Sequence, residues 1–256
     1  MTTQPQAIPA APAGVKLRIG SVAYLNSKPL NVALDGDIAL ATPAELARGM
    51  ETDELDVALL PVMAVLEHPE YALADGFGIA CRGPVHSVIL SSARPLSEIT
   101  TIAADDASRS SNALLRVLVH DFLNRPDIRF VEPDQPGDAH LWIGDRAIAR
   151  RREHPEERHL DLGTAWWQWQ RKPFVFAVWA LKGAAKNPDV AEALRAASRA
   201  GLQRRASLAQ TPEEYDYLTK RIRYEIGAEE KAGLEAFAQA LHHRGLLENV
   251  PQLEWI

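Results

Sequence analysis

Short apolar runs alternate with segments that have helical spacing of apolar residues, from residue 16 onward. The runs are rich in Val, Ile, Leu and Ala, as buried strands are. This alternation is typical of βαβ units, so we predict an α/β fold with a mostly parallel sheet. The predicted strands are Leu17–Val22, Asp56–Leu60, Phe77–Ala80, His86–Ser91, Thr101–Ala104, Ile128–Val131, His140–Ile143 and Phe174–Ala180.

Two helix starts carry the same capping pattern, at Thr42 to Glu45 and at Thr211 to Glu214. Each has a hydroxyl at the N-cap, proline at the first helical position, and a glutamate able to reach back to the cap amide. After Lys182 the pattern is helical throughout, with no convincing strand. We predict helices from Asn187 to about residue 208, from residue 211 to before residue 227, and around residues 234 to 241.

The order of these segments predicts two lobes. A strand-rich first part, an α/β middle and a helical end suit a chain that crosses from one lobe to the other and back. We assign residues 16–90 and 179–256 to lobe I and residues 91–178 to lobe II. Residues 1–15 are rich in Pro, Ala and Gln, and we interpret them as a disordered tail because they can bury too little apolar surface.

Composition narrows the function classes. The 256 residues are 46% apolar, which is enough to build real cores. Lys and Arg total 28 against 34 for Asp and Glu, giving a net charge of −6, so we expect no nucleic-acid partner. No run approaches the roughly 18 apolar residues of a membrane span, and no export signal is evident. We therefore expect a cytoplasmic protein without a membrane partner, either a monomer or a homodimer.

The sequence offers little to a metal or a cofactor. The lone cysteine, Cys81, can form no internal disulfide and no thiolate zinc cluster. The chain has no Walker A loop, no G-x-G-x-x-G, no H-E-x-x-H and no G-x-S-x-G motif. We therefore predict that no metal and no cofactor is bound.

Loops that follow strands are the places to search, because ligands of such folds bind at the carboxyl ends of strands. Asn26 follows the first predicted strand; it could bind a ligand or bond its own turn. Ser87 lies at the start of a strand where the chain crosses between lobes. Its hydroxyl could contact a ligand, or it could simply be hydrogen-bonded within the protein. Strand alternation turns His86 to the opposite face.

The run from Ser108 through Ser110 and Ser111 to Asn112 opens a helix that we predict over residues 113–123. Unpaired N–H groups and the helix dipole favour an anion there. Capping alone would explain only one of these polar side chains. Asp145 follows the predicted strand His140–Ile143. Its side chain could point into the crevice, or it could cap the next helix.

Three tryptophans, Trp166, Trp167 and Trp169, precede the last predicted strand. They could line a pocket for a ring-shaped ligand. Packing between the lobes is the commoner use of such side chains.

Taken in order, these segments resemble the chorismate dehydratase family of menaquinone biosynthesis by the futalosine pathway, from about Leu17 to Leu181. The matching segments are Arg18-Ile19-Gly20, Tyr24-Leu25-Asn26, Pro29-Leu30, Val85 to Val88, Ser108 to Ser111 (with serine at 110 for threonine), Ile143-Gly144-Asp145, Asp161-Leu162-Gly163 and Pro173 to Ala177. The related 1,4-dihydroxy-6-naphthoate synthases usually have a Ser-Pro-Cys-Pro-Asn type of first loop, which this chain lacks.

Two segments depart from the family pattern. Many members carry a serine pair after the second strand, where this chain has Leu59 to Met63, so a ligand contact there would be apolar or through the backbone. Gln170-Arg171-Lys172 replaces the usual Thr-Gly before the Pro-Phe-Val-Phe strand.

The resemblance implies a fold like the type II periplasmic binding proteins, with two α/β lobes and the ligand in the cleft. It also implies a cofactor-independent lyase that converts chorismate to 3-[(1-carboxyvinyl)oxy]benzoate. The alternatives are a solute-binding protein for an aromatic or dicarboxylate ligand, since a fold does not fix a function, and the related naphthoate synthase.

For this reaction we expect Asn26 and Ser87 to be catalytic, orienting the ring and assisting departure of the hydroxyl. The expected substrate-binding residues are Ser108, Ser110, Ser111, Asn112 and Asp145. Asn and Ser are poor bases at neutral pH, which leaves Asp145, His86 or a carboxylate of the substrate as proton acceptor. We favour the substrate carboxylate, because a positioned intramolecular group has a high effective molarity.

Overall fold

The computed structural model describes residues 16–106 and 108–256. Its strands are β1 Ile19–Ser21, β2 Ile38–Leu40, β3 Val57–Pro61, β4 Ala72–Cys81, β5 Val88–Ser92, β6 Thr101–Ala103, β7 Arg129–Val131, β8 Ala139–Ile143, β9 Arg158–Asp161, β10 Phe174–Leu181, β11 Arg223–Ile226 and β12 Glu254–Trp255. Its α-helices are α1 Lys28–Asn31, α2 Pro43–Glu51, α3 Val62–Glu67, α4 Arg109–Val117, α5 Gly144–Glu153, α6 Leu162–Gln170, α7 Pro188–Gln203, α8 Pro212–Asp216 and α9 Ala228–His243.

Shorter helical turns complete the description. Turns of 3₁₀-helix cover Leu25–Ser27, Gly183–Ala185 and Arg205–Leu208. Two α-helices continue directly into π-helices: α4 is followed by a π-helix over Leu118–Phe122, and α8 by one over Tyr217–Arg221. No helix in residues 16–106 and 108–256 has the length and apolar character needed to cross a membrane.

The strands form two mixed sheets. The first has the order β11-β4-β10-β3-β1-β2, with β12 beside β4, and the second has the order β7-β6-β8-β5-β9. β1 runs parallel to β2 and β3, but β10 lies antiparallel between β3 and β4, and β5 lies antiparallel to β8 and β9. The prediction of a mostly parallel sheet is therefore wrong, because the strands that follow each passage between the sheets run against their neighbours.

The chain passes between the sheets twice, over residues 82–87 and 162–173. The predicted lobe boundaries, after residues 90 and 178, fall inside β5 and β10. Sheet pairing assigns all of β5 to the second sheet and all of β10 to the first. The lobe limits themselves stay a prediction, and the predicted tail lies outside the described residues.

Several elements differ from those predicted. β11 and β12 occur in the segment expected to be helical throughout, and β2 and β9 were not predicted. β11 is only four residues long and directly follows a π-helix, so its pairing with β4, rather than its own pattern, decides its conformation. The helix expected over residues 113–123 begins at residue 109, and the one expected to reach residue 208 ends at Gln203.

The capping box at Thr42 is confirmed. The Thr42 N–H donates to Glu45 Oε2 at 2.8 Å, and the Glu45 N–H donates to Thr42 Oγ1 at 3.3 Å. At the second helix start the Glu214 N–H donates to Thr211 Oγ1 at 3.1 Å. Glu214 Oε2 there accepts from the Gln210 N–H at 2.6 Å instead of from the cap residue.

Candidate functional site

A cleft lies between residues of the two sheets. Its wall consists of Val22, Tyr24, Asn26, Pro43, Leu59, Pro61, Ile79, Val85, Ser87, Val88, Ser108, Ser110, Ser111, Ile143, Gly144, Phe176, Ala177 and Ile222. Most of this wall is apolar, and its side-chain polar atoms belong to Tyr24, Asn26 and four serines. The described wall residues include no Asp, Glu, Lys, Arg or His.

Asn26 lies in the 3₁₀ turn that follows β1. The neighbouring Ser27 makes the bonds that hold this turn, donating to the carbonyl oxygens of Val22 at 2.6 Å and Tyr24 at 2.8 Å. The Oδ1 atom of Asn26 is buried and has no hydrogen-bond partner in the described part of the chain. A ligand in the cleft would therefore find an unoccupied acceptor.

Ser87 is held at the start of β5 by the N-cap residue of α6. The carboxylate of Asp161 accepts from the N–H groups of Val85 at 3.1 Å, His86 at 2.7 Å and Thr164 at 2.9 Å. His86 has a φ of 66°, in the left-handed region. These bonds fix a strained segment and set the position of the Ser87 hydroxyl, which is 2% exposed.

Tyr217 is the residue of this site that sequence reasoning missed. It begins the π-helix after α8, is 3% exposed, and donates from Oη to Ser87 Oγ at 2.7 Å. Burial raises the pKa of its phenol, and hydrogen bonding with Ser87 and Asn26 opposes that shift. No sequence signal identifies it. A tyrosine in an amphipathic helix is expected to be a core residue, and its partner Ser87 lies 130 residues away in the sequence.

The three predicted serines meet at the N-terminus of α4. The N-cap Ser108 accepts from the Ser111 N–H at 3.2 Å and donates to Ser111 Oγ at 2.9 Å. Ser110 Oγ accepts from the N–H of Met63, in the first turn of α3, at 3.0 Å. This last bond joins α4 to α3, which follows β3 of the first sheet. The first turn of α4 thus presents the hydroxyls and dipole end that favour an anion.

Two predicted site residues do not line the cleft. The Asn112 amide bonds the Asp105 backbone in both directions, accepting at 3.0 Å and donating at 2.6 Å. Asp145 is in the first turn of α5, whose N-cap is Ile143, so it is not the cap that one interpretation expected. Burial raises the pKa of the Asp145 carboxyl, and a hydrogen bond from the Leu25 N–H opposes that shift.

His86 and the tryptophans also lie outside the described wall. Burial lowers the pKa of the His86 imidazole, and the charges of nearby arginines lower it further. Trp166 is fully buried, with its ring 5.3 Å from that of Phe174 and 5.7 Å from that of Trp169. These two tryptophans therefore pack in an aromatic cluster, while Trp167 stacks under the guanidinium of Arg82 at 4.6 Å.

Helix N-termini contribute to the electrostatics of the cleft, and the charges of Asp105, Asp145 and Arg146 also act on the wall residue Tyr24. α2 begins at Pro43, α4 at Arg109 and α5 at Gly144, and each of these helix starts contributes a wall residue. N-termini carry a partial positive charge, so the cleft favours an anion that also has apolar surface. No group of three or more His, Cys, Asp or Glu suited to a metal ion occurs in the residues that the structure describes.

Known proteins are similar to this chain in sequence or in fold. A family model described as menaquinone biosynthesis matches residues 17–243. A protein of Thermus thermophilus named chorismate dehydratase is 32% identical, and the match covers 87% of this chain and 94% of that protein.

Two solved structures are similar in fold. Protein AF1704 of Archaeoglobus fulgidus superimposes with a TM-score of 0.69 at 16% identity, covering 91% of this chain and 98% of that one. The Candida albicans CA3427 product, described as having the generic periplasmic binding protein fold, has a TM-score of 0.63 at 11% identity and covers 91% of each chain. The predicted periplasmic-binding-protein-like fold is thereby confirmed. Because the family model spans most of the sequence and the Thermus relative is 32% identical over 87% of it, the chain belongs to the menaquinone biosynthesis family.

Proposed function

We propose that the protein is a chorismate dehydratase, a lyase that removes water from chorismate to give 3-[(1-carboxyvinyl)oxy]benzoate. The name of the Thermus relative and the family of the chain support this activity. The main structural support for this activity is the cleft. Its wall is largely apolar and includes Asn26, Ser87 and the serine-rich N-terminus of α4. Such a wall suits a carboxylated ring.

Chorismate carries two carboxylates, and one of them binds at the start of α4. Ser110 already accepts a hydrogen bond from the Met63 N–H, so its own proton is available for a carboxylate oxygen. Backbone N–H groups of the first helical turn add further donors. The apolar faces of Leu59, Ile143 and Phe176 cover the ring.

The elimination removes a hydrogen from one ring carbon and the hydroxyl from its neighbour, and the ring becomes aromatic. Ser87 donates its proton in a hydrogen bond to the departing oxygen, and Asn26 Oδ1 accepts from the same hydroxyl before it leaves. A carboxylate of the substrate takes the ring proton, since Asp145 and His86 lie outside the described wall. The hydroxyl then leaves with that proton as water.

Aromatisation supplies the driving force, so the reaction needs no electron carrier and no Lewis acid. We propose that the enzyme acts without metal or cofactor. The sequence offers no thiolate cluster and no nucleotide-binding loop, which supports this part of the proposal.

The purified protein should convert chorismate at the same rate with and without EDTA. The measurement follows the loss of chorismate absorbance and identifies a product lighter by one water by mass spectrometry. Ser87→Ala, under the same conditions, controls for spontaneous decay of chorismate. Binding of unchanged chorismate, measured by calorimetry, would instead favour a solute-binding protein. Activity lost on chelation and restored by one metal would contradict the metal-free reaction.

A further inference from the structure

Tyr217 contacts both of the residues that the proposed reaction uses, although it does not line the cleft. Its hydroxyl donates to Ser87 Oγ at 2.7 Å, and interaction with the Asn26 side chain lowers the pKa of the same phenol. Tyr217 is 3% exposed. It is therefore placed to act through its two neighbours.

The hydrogen-bonding capacity of the three groups determines what each presents to the cleft. A hydroxyl has one hydrogen to donate. Tyr217 gives its hydrogen to Ser87, so the Ser87 hydrogen cannot point back along the same line and is directed elsewhere. Asn26 lowers the pKa of the phenol, as an N–H donor to the phenol oxygen does, and its Oδ1 is buried without a partner in the described part of the chain. The cleft then meets one donor from Ser87 and one acceptor from Asn26.

We propose that Tyr217 is a positioning residue, which orients the Ser87 hydroxyl hydrogen and the Asn26 carbonyl oxygen toward the ring hydroxyl that leaves. This inference rests on the proposed function, because it assigns Tyr217 a role in that elimination. A donor and an acceptor held in fixed directions match the single O–H group of the leaving hydroxyl. Without the phenol, Ser87 could rotate and Asn26 could turn its amide.

Burial strengthens this assignment. It raises the pKa of the phenol above its usual range, so Tyr217 stays protonated at neutral and mildly alkaline pH. The direction of the donated bond, from Tyr217 to Ser87, is then the same throughout that range.

The test begins with Tyr217→Phe, which removes the hydroxyl and keeps the ring. We expect kcat for chorismate to fall about tenfold, as for the loss of one buried hydrogen bond that acts in the transition state. KM should change little, because the start of α4 still binds the carboxylate. Tyr224→Phe is the matched control: Tyr224 is 5% exposed, and its hydroxyl has no partner in the described part of the chain.

A double-mutant cycle separates positioning from a purely structural role. In a Ser87→Ala background, Tyr217→Phe should lower kcat less than tenfold, because one of the two groups that it orients is gone. Equal effects in both backgrounds, or wild-type kcat in Tyr217→Phe, would overturn the inference while leaving the proposed function intact. A wild-type protein that does not turn over chorismate would overturn the proposed function, and the inference with it.

Circular dichroism shows whether Tyr217→Phe folds. If it does not, a measurement on the wild-type protein still tests the inference. The kcat of the wild-type protein should stay constant from about pH 7 to about pH 9, where the buried phenol keeps its proton. A decline of kcat through this range with the slope of one proton would contradict the assigned donor.

Discussion

Asn26 and Ser87 are available to a ligand because neighbouring residues make the structural bonds at both places. Ser27, not Asn26, holds the turn after β1. Asp161, not Ser87, satisfies the amides at the entrance to β5. Each loop thus pairs a residue that stabilises it with one that faces the cleft.

Asn26→Ala and Ser87→Ala should each lower kcat by about 100- to 1000-fold. A directed hydrogen bond to a transition state in a closed site contributes about 2.7–4 kcal/mol. Steady-state kinetics with chorismate measures the effect, and circular dichroism confirms the fold. Ser91→Ala is the control, since Ser91 is a buried serine of β5 that bonds His159 at 2.8 Å and lies outside the described wall. A variant at position 26 or 87 with wild-type turnover would show that the residue is structural.

The sequence could predict those site residues that lie in loops after strands, because strand ends converge at the cleft. Asn26, Ser87 and the serines at 108, 110 and 111 all line it. Asn112 could not be separated from them by position alone, since only the fold brings the Asp105 backbone within reach of its amide. Tyr217 was beyond prediction because its partner is distant in sequence.

Among the helices and strands, α4 is expected to contribute most to chorismate binding, through the serines of its first turn. Its first turn faces the cleft with Ser108, Ser110 and Ser111, each at most 8% exposed. A charge introduced there would be screened little by solvent. The sign of that charge therefore distinguishes an anion site from a neutral one.

Ser111→Asp should weaken chorismate binding far more than Ser111→Ala. Losing the hydroxyl costs one hydrogen bond to a carboxylate, roughly tenfold in affinity. The aspartate adds repulsion and should cost about tenfold more, as measured by calorimetry. Ser207→Asp adds the same charge at an exposed turn after α7 and should bind like wild type. Wild-type affinity in Ser111→Asp would rule out this turn as the carboxylate site.

Strands with a strong apolar run of their own were predicted, including β3, β5, β8 and β10. β2, β11 and β12 are two to four residues long, and such short segments form strands only because a neighbour pairs with them. The direction of β10 was also unpredictable, since it depends on how the chain returns from the second sheet. Pattern alone therefore fixes the α/β class and leaves the mixed pairing open.

At the scale of the whole molecule, several buried groups resist ionisation. Burial raises the pKa of Tyr71 to about 12, and it raises the pKa values of Tyr217, Tyr224 and the Cys81 thiol. In the unfolded chain these groups lose protons nearer their ordinary pKa values of 9.0 for the thiol and 10.0 for the phenols. The unfolded state thus binds fewer protons than the native state in alkaline solution.

The contribution of these groups to the free energy of unfolding should be constant below about pH 9 and fall above it. Each group contributes a slope of up to about 1.4 kcal/mol per pH unit. Urea unfolding at pH 8 and at pH 10.5 should show a lower midpoint at the higher pH. Cys81→Ala, which lacks the thiol, should decline less steeply between pH 9 and 10. Equal midpoints at both pH values would contradict the burial of these protons.

The position of β10 between β3 and β4 has a consequence for the order of events during synthesis. The strands of the second sheet come from one uninterrupted stretch, residues 88–161, so that sheet can form as soon as its own segment has left the ribosome. β3 and β4 emerge earlier but have no common neighbour until residues 174–181 arrive. The first sheet, whose strands β1 to β4 are synthesised first, is thus completed last. In the interval the apolar edge of β3 is unpaired and could form non-native strand pairs.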